Sequence, residues 1–247
     1  MVDRREKSEY EDSSKIVGLY KGTLANVFSQ LRYESAYFKK KIESCNVTID
    51  GFEGDEHSKG HGGIDRAINH YPQEDYQILI NKFPDKENSL CADDTNGFGE
   101  NISTVGGNMN FHTICIGDRF QVGSCILEVS QPRYPCKKVN YRHEVDGFTL
   151  SNYVISSCTN GWFYRVIQPG SISIGDNFTR ISHPYPEMTL YIIQSTLYGN
   201  DEEKKRGTLN FLEELANLEP LADHPWKKVT RKLIEKKKIE QNYNEND

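Results

Sequence analysis

The sequence predicts a mainly β fold, a barrel-like body with flanking helices, followed by a small helical C-terminal domain. Three observations carry this expectation. From Phe98 to Gln131 the chain reads FGENIST, TICIGDRFQVG and SCILEVSQ, apolar–polar alternation broken every few residues by Gly or Asp, as in short strands joined by tight turns. Two segments nearly repeat one another, Ile116-Gly117-Asp118-Arg119-Phe120 and Ile174-Gly175-Asp176-Asn177-Phe178, and read as two similar corners of a β-barrel. Beyond Pro186, residues 202–217 and 225–239 look helical and are joined by a short turn around Pro220.

Taken in order, residues 1–15 form a polar leader of mixed charge with no apolar run. Neither a secretory signal nor an acid-poor mitochondrial presequence is expected there. A main domain over 16–182 opens with a strand, Lys15–Gly22; residues 23–45 carry no pattern. Val47–Phe52 alternates as a half-buried strand does and runs into GFEGDEHSKGHGGIDRAINHY, whose five glycines between Gly51 and Gly63 exclude a regular helix. Pro72 then opens a helix with Tyr76, Leu79, Ile80 and Phe83 on one apolar face, and Pro84 ends it. After the β-rich stretch come a helix around Leu150–Cys158 and a strand over Gly161–Ile167. The closely spaced prolines of His183-Pro184-Tyr185-Pro186 mark a boundary. A helical domain is expected over 187–240 and a polar tail over 241–247.

With 36 Asp and Glu against 30 Lys and Arg, the formal net charge is −6, so no nucleic-acid partner is expected. The one basic cluster, Lys227 to Lys238, reads as the solvated face of a helix. No run approaches the roughly 18–20 apolar residues of a membrane span, so the expected location is cytoplasmic, without a membrane partner. The six cysteines are widely spaced and contain no C-x-x-C, which argues against a disulfide framework and against an iron–sulfur cluster.

The densest chemistry is Ser130-Gln131-Pro132-Arg133-Tyr134-Pro135-Cys136-Lys137-Lys138. Two prolines hold the chain extended and present Cys136 at a stiff strand exit among three cations. Neighbouring cations favour a thiolate, which is both a nucleophile and a soft-metal ligand; an inert core cysteine is the competing reading. Cys115 and Cys125, on alternating β-runs, read as core. A second group is His57, His61, Asp65, Arg66 and His70. The i, i+4 histidines would suggest zinc on a helix, but Gly60, Gly62 and Gly63 forbid one. Glycine-exposed backbone amides followed by Arg66 suit an anion or polar heterocycle better, unless Asp65 and Arg66 simply form a turn. Glu100 could serve as acid or base and Asn101 could bind a ring edge, or either could cap a turn. Arg165 is open between an ion pair and a ligand contact. Walker A, G-x-G-x-x-G and G-x-S-x-G patterns are absent.

In their order and spacing, GFEGDEHSKGHGGIDRAINHYP, FGENIST, IGDRFQVG, LEVSQPRYPCKKVN and GWFYRVIQPG resemble the MOSC domain over roughly residues 16–180. The match is nearest to the stand-alone bacterial branch that includes 6-N-hydroxylaminopurine reductase. The tail, including Leu215–Trp226, is similar to the small three-helix domain that follows MOSC there.

The resemblance implies a β-barrel-like fold and a molybdenum cofactor (molybdopterin) with Cys136 as protein ligand to the metal and catalytic centre. It implies that His61, Gly62, Gly63, Asp65, Arg66, Asn101, Arg133 and Lys138 hold the pterin and its phosphate. The implied activity is reduction of N-hydroxylated bases, hydroxylamines or amidoximes, with electrons from a separate flavoprotein reductase. Two other roles fit the same residues: a sulfur carrier with a Cys136 persulfide, and a non-enzymatic module that binds and delivers the cofactor.

Overall fold

Seven strands close on one another in the computed structural model, which describes residues 14–58, 61–90 and 96–244. Around the barrel they run β1 (Ser14–Lys21), β6 (Ile102–Val105), β5 (Ile68–Pro72), β9 (Trp162–Gln168), β8 (Cys125–Pro132), β7 (Arg119–Val122) and β11 (Asn177–Ser182), which returns to β1 through Ser14–Phe178 and Lys15–Asn177. All these neighbours are antiparallel except β5 and β6, whose parallel pairing is spanned by α1 (Gln73–Lys82) and α2 (Glu87–Leu90). A short β2 (Lys40–Ile42) adds to the end of β1. The leader through Ser13, Cys91 and the last three residues lie outside the described residues.

The two related segments do form equivalent corners. Asp118 Oδ2 accepts the Cys115 amide at 3.0 Å, and Asp176 Oδ2 accepts the Ser173 amide at 2.8 Å. Each carboxylate thus closes its turn onto the backbone three residues earlier, and the two turns feed the antiparallel partners β7 and β11. Cys115 itself, expected on a continuous strand, makes an isolated bridge to Thr189 instead.

Val47–Phe52 differs from the single strand expected. It folds back as β3 (Ser44–Thr48) and β4 (Gly51–Phe52), with Val47 opposite Phe52 and Thr48 opposite Gly51. Gly51 has φ +113°, and a Cβ there would collide with the Ala67 carbonyl oxygen, so the turn depends on glycine. Pairing of β3 with β10 (Gly170–Ser173) completes a second, three-stranded sheet.

Inside the barrel, Leu19, Ile68, Ile102, Phe120, Leu127, Trp162, Tyr164 and Phe178 are at most 1% exposed. His70 is buried among the rings of Trp162, Tyr164 and Phe178. Its ring nitrogens pair with the Tyr164 hydroxyl (2.9 Å) and the Thr104 hydroxyl (2.8 Å), and burial depresses its pKa to about 3. This histidine is a neutral, satisfied core residue. Beside the barrel, α1 packs with α3 (Lys138–Arg142) and α4 (Thr149–Ser156) around Tyr71, Leu79, Phe98, Val139 and Leu150.

The C-terminal helices are α5 (Leu190–Tyr198), α6 (Asp201–Lys204), α7 (Leu209–Asn217) and α8 (Lys228–Asn244). Ile193, Leu197, Leu212, Leu215, Leu221 and Trp226 join the same apolar cluster as the barrel residues. The backbone amide of Ala222 reaches the Ser130 carbonyl at 2.9 Å. The basic α8 is exposed and partly paired, Arg231 with Asp223 and Lys238 with Glu213, both at 2.7 Å. Among the described residues, no helix is long and apolar enough to cross a membrane.

Candidate functional site

At the end of β8 the ladder to β9 skips Ser130: Val129 faces Tyr164 and Gln131 faces Phe163. Such a bulge re-aims the strand. The Ser130 hydroxyl ties it down by donating to the carbonyls of Asp65 (2.6 Å) and Phe163 (3.0 Å). Past Pro132 the chain has no regular structure until α3. The Arg133 amide bonds the Gly161 carbonyl at 2.9 Å, and the Asn160 side chain donates to the Arg133 carbonyl. Cys136 is thereby fixed at the rim of a cavity of about 430 Å³.

The cavity brings together most of the residues singled out in the sequence. His57, His61, Gly62, Arg66, Asn101, Arg133, Cys136 and Lys138 line it. Arg133 is 6% exposed, with its guanidinium over the Phe98 ring at 5.6 Å, and its Nη1 has no hydrogen-bond partner. Burial opposes its charge, but Tyr37, Cys136 and Glu100 together hold its pKa above the ordinary value. Lys138 is also buried and donates to Ser58 Oγ at 2.9 Å. Burial lowers its pKa; the neighbouring Cys136 works against that shift and Arg133 adds to it. Lys137, the third cation of the motif, turns away to the Phe148 ring at 5.3 Å. Arg66 lines the same cavity, and its Nη2 donates to the His224 carbonyl at 3.0 Å.

Three expected ligands stand elsewhere or are otherwise engaged. Gly63 and Asp65 do not line the cavity. Residues 64–66 form a 3₁₀ turn, and Asp65 Oδ1 faces outward to Arg165 Nε at 3.1 Å. Arg165 bridges Asp65 to Glu128, which also holds Arg119 at 2.7 Å, so Arg165 is an ion-pair residue. Asn101 lines the cavity, but its amide is consumed by structure. Nδ2 donates to Asp55 Oδ2 (2.8 Å) and the Tyr20 carbonyl (3.2 Å), and Oδ1 accepts from the Asn69 amide (3.1 Å). Glu100 sits behind the wall at 1% exposure, accepting from Tyr76 Oη at 2.6 Å, the Phe98 amide at 3.0 Å and Ser103 Oγ at 3.2 Å. Burial raises its pKa despite these donors.

Several wall residues gave no signal in the sequence. Ser35, Ala36, Tyr37 and Lys39 come from the unpatterned stretch 23–45, and His224 and Pro225 from the segment between α7 and α8. Tyr37 Oη is buried without a hydrogen-bond partner, and its pKa is raised, by burial above all. Lys39 is 4% exposed and bonds Asp55, whose carboxylate is fully buried and also takes the Gly22 amide at 2.7 Å. Burial lowers the Lys39 pKa even with that partner in place. Asp55 lies two residues before His57, within the loop already identified, so it was the one legible omission.

Among the described residues, the side chains close enough to share a metal ion are Cys115, Asp118 and His183, at the first barrel corner. There Asp118 already holds His183 Nδ1 at 2.6 Å and lies 3.6 Å from Arg180 Nε, so its charge has partners within the protein. His61 Nδ1 pairs with Ser58 Oγ at 3.3 Å and His57 faces Asp55.

The comparisons with known proteins agree with this architecture. The MOSC domain model matches residues 57–179. YiiM of Escherichia coli is 39% identical over 129 residues, which cover 51% of this chain and 54% of that protein. A Gibberella moniliformis protein named Reductase is 32% identical over 194 residues, 76% of this chain but 32% of that one. The chain therefore matches about half the length of the first relative and about a third of the second. The crystal structure of Escherichia coli YiiM superposes with a TM-score of 0.70 at 24% identity, over 90% of this chain and 92% of that one, a likeness of fold. Closed barrel, flanking helices and sequence matches agree: the chain belongs to the MOSC domain family.

Proposed function

We propose that the cavity binds a molybdenum cofactor through Cys136, and that the protein reduces N-hydroxylated small molecules. The observation that carries this reading is the buried Arg133 guanidinium, with Nη1 unpartnered, in a cavity rimmed by Cys136. A buried cation with an unused donor is costly unless an anionic ligand completes it. Tyr37 Oη, buried beside Arg133 and without a partner of good hydrogen-bond geometry, offers a second donor. The donor set fits the group: a soft sulfur for the metal, with Arg133, Lys138 and Arg66 for the pterin and its phosphate. Gly63, Asp65 and Asn101 drop out as direct contacts. Asn101 and Asp55 instead hold the floor on which those contacts stand.

When bound, the cofactor supplies the two-electron chemistry that removes oxygen from an N–OH group. The protein's part is to fix the thiolate, orient the substrate over it and match the anionic charge with buried cations. The relative named Reductase supports an oxidoreductase role. We further propose a cytoplasmic protein whose electrons come from a separate flavoprotein.

Metal and pterin content of wild type and Cys136→Ala, purified from a cofactor-competent host, tests the reading together with turnover of N-hydroxylaminopurine. The expected result is about one molybdenum per wild-type chain, its loss in Cys136→Ala, and turnover by wild type alone. Persulfide on Cys136 without molybdenum would show a sulfur carrier. Bound cofactor without turnover, given a competent electron donor, would show a delivery module.

A further inference from the structure

We propose that His57 is the group that exchanges protons with a substrate bound in the Cys136 cavity, seated for that task by Gly62 and Asp55. The inference rests on the reductase reading. Conversion of R–NHOH to R–NH2 breaks the N–O bond, consumes two electrons and two protons, and releases water. The electrons come from the reduced flavoprotein donor; the protons must arrive at the nitrogen and the leaving oxygen inside the cavity.

Three observations single out His57. It lines the cavity, and its side chain is 28% exposed, so it can reach solvent and substrate alike. Its imidazole lies against the backbone of Gly62: a Cβ at that position would stand 2.8 Å from His57 Cγ and 2.9 Å from Cδ2. Gly62 also has φ +88°, a conformation that L side chains rarely adopt. The missing side chain in the glycine loop thus makes the seat for a ring. Third, Asp55 Oδ2 stands 3.7 Å behind Nε2. Asp55 cannot drift, because Lys39, Asn101 and the Gly22 amide all hold its carboxylate. At 3.7 Å, beyond hydrogen-bond range, that anchored charge favours the protonated form of the ring, so the imidazole seated on Gly62 can carry a proton transiently.

Several neighbouring wall groups are engaged elsewhere: Lys39 holds Asp55, Lys138 holds Ser58, His61 Nδ1 pairs with Ser58 Oγ, and Glu56 accepts the Leu24 amide at 2.6 Å. Among the described residues, the charged groups acting on His57 are Asp55 and Lys39. Burial lowers its pKa below the ordinary 6.5, Asp55 pulls it back up and Lys39 pushes it down. The imidazole is therefore neutral at neutral pH and gains its charge as pH falls.

His57→Gln tests the role with the cofactor-loaded protein. The expected result is unchanged molybdenum content and Tm, kcat lower by about 10²-fold with KM little altered, and loss of the rise in rate that wild type shows on acidification. In His57→Gly, added imidazole should restore part of the rate. Full kcat and an unaltered pH profile in His57→Gln would overturn the proposal, as would a loss of cofactor or Tm large enough to account for the defect. Failure of wild type itself to bind cofactor or turn over would instead overturn the reductase reading, and this inference with it.

Discussion

Asp55 and Asp65 sit ten residues apart in one glycine-rich loop, and the fold puts them to opposite uses. The Asp55 side chain is fully buried and holds Lys39, Asn101 and the Gly22 amide, bracing two residues of the cavity wall from behind. Asp65 is 40% exposed and turns outward to Arg165, in a surface chain that continues to Glu128 and Arg119. Asp65 belongs to the recognisable H-G-G-x-D-R segment; Asp55 does not. The difference teaches that a motif marks a backbone path, while the side chains that serve the site are decided by what the path passes.

The largest expected effect is at Asp55. Asp55→Ala strands the Lys39 ammonium at 4% exposure, and should cost about 3–5 kcal/mol in chemical denaturation. Asp55→Ala combined with Lys39→Met should recover much of that loss, because no buried charge is then left unpaired. Equal instability of the single and double variants would show that the hydrogen bonds to Asn101 and Gly22, not the charge, dominate.

Asp75 sharpens the comparison from the other side, being a buried aspartate whose Oδ2 has no partner. Burial, with Glu74 beside it, raises its pKa from 3.8 to about 7. Between those values the folded state keeps a proton that the unfolded state has released, so this group's contribution falls as pH rises through that window. Asp75→Asn should therefore raise stability above pH 7 by an amount on the order of 2 kcal/mol, and change little well below pH 3.8, where both states are protonated. Melting curves of both proteins across pH measure it; a pH-independent difference would contradict it.

Asp65→Ala gives the smallest expected effect, under about 1 kcal/mol and weaker still at high salt, because the pair is part-exposed and Arg165 keeps Glu128. A loss comparable to that at Asp55 would mean that the outer chain of charges also supports the cavity wall through the Asp65 carbonyl, which accepts from Ser130 and Gln131.

Much of the fold was legible because it is written in local chemistry. The Gly-Asp corners repeat their sequence and their hydrogen bonds alike, and Pro72 and Pro84 bracket α1 as their backbone restrictions require. Val47–Phe52 misled because alternation is the same for one strand as for a tight hairpin; the reversal at Ile49-Asp50 leads into Gly51, whose close approach to Ala67 only glycine allows. In the site, Cys136, Arg133 and Lys138 were readable because prolines and cations cluster along the chain. Tyr37, Lys39 and His224 were not. Lys39 stands beside Lys40 and Lys41 in the sequence, and nothing local separates the buried lysine from its two exposed neighbours.

The sequence by itself determined the family, the strand-and-turn alphabet of the barrel, the stiff presentation of Cys136 and the cations that follow its prolines. These are properties of residues within a few positions of one another, where backbone sterics and turn chemistry act directly. Only the tertiary structure decided which aspartate of the glycine loop is buried behind the cavity wall, that Asn101 bonds that aspartate instead of offering its amide, that Arg133 is left with an unused donor, and that residues 37, 39 and 224 complete the wall. Those outcomes depend on burial and on partners tens of residues away, and closing the barrel is what brings them together.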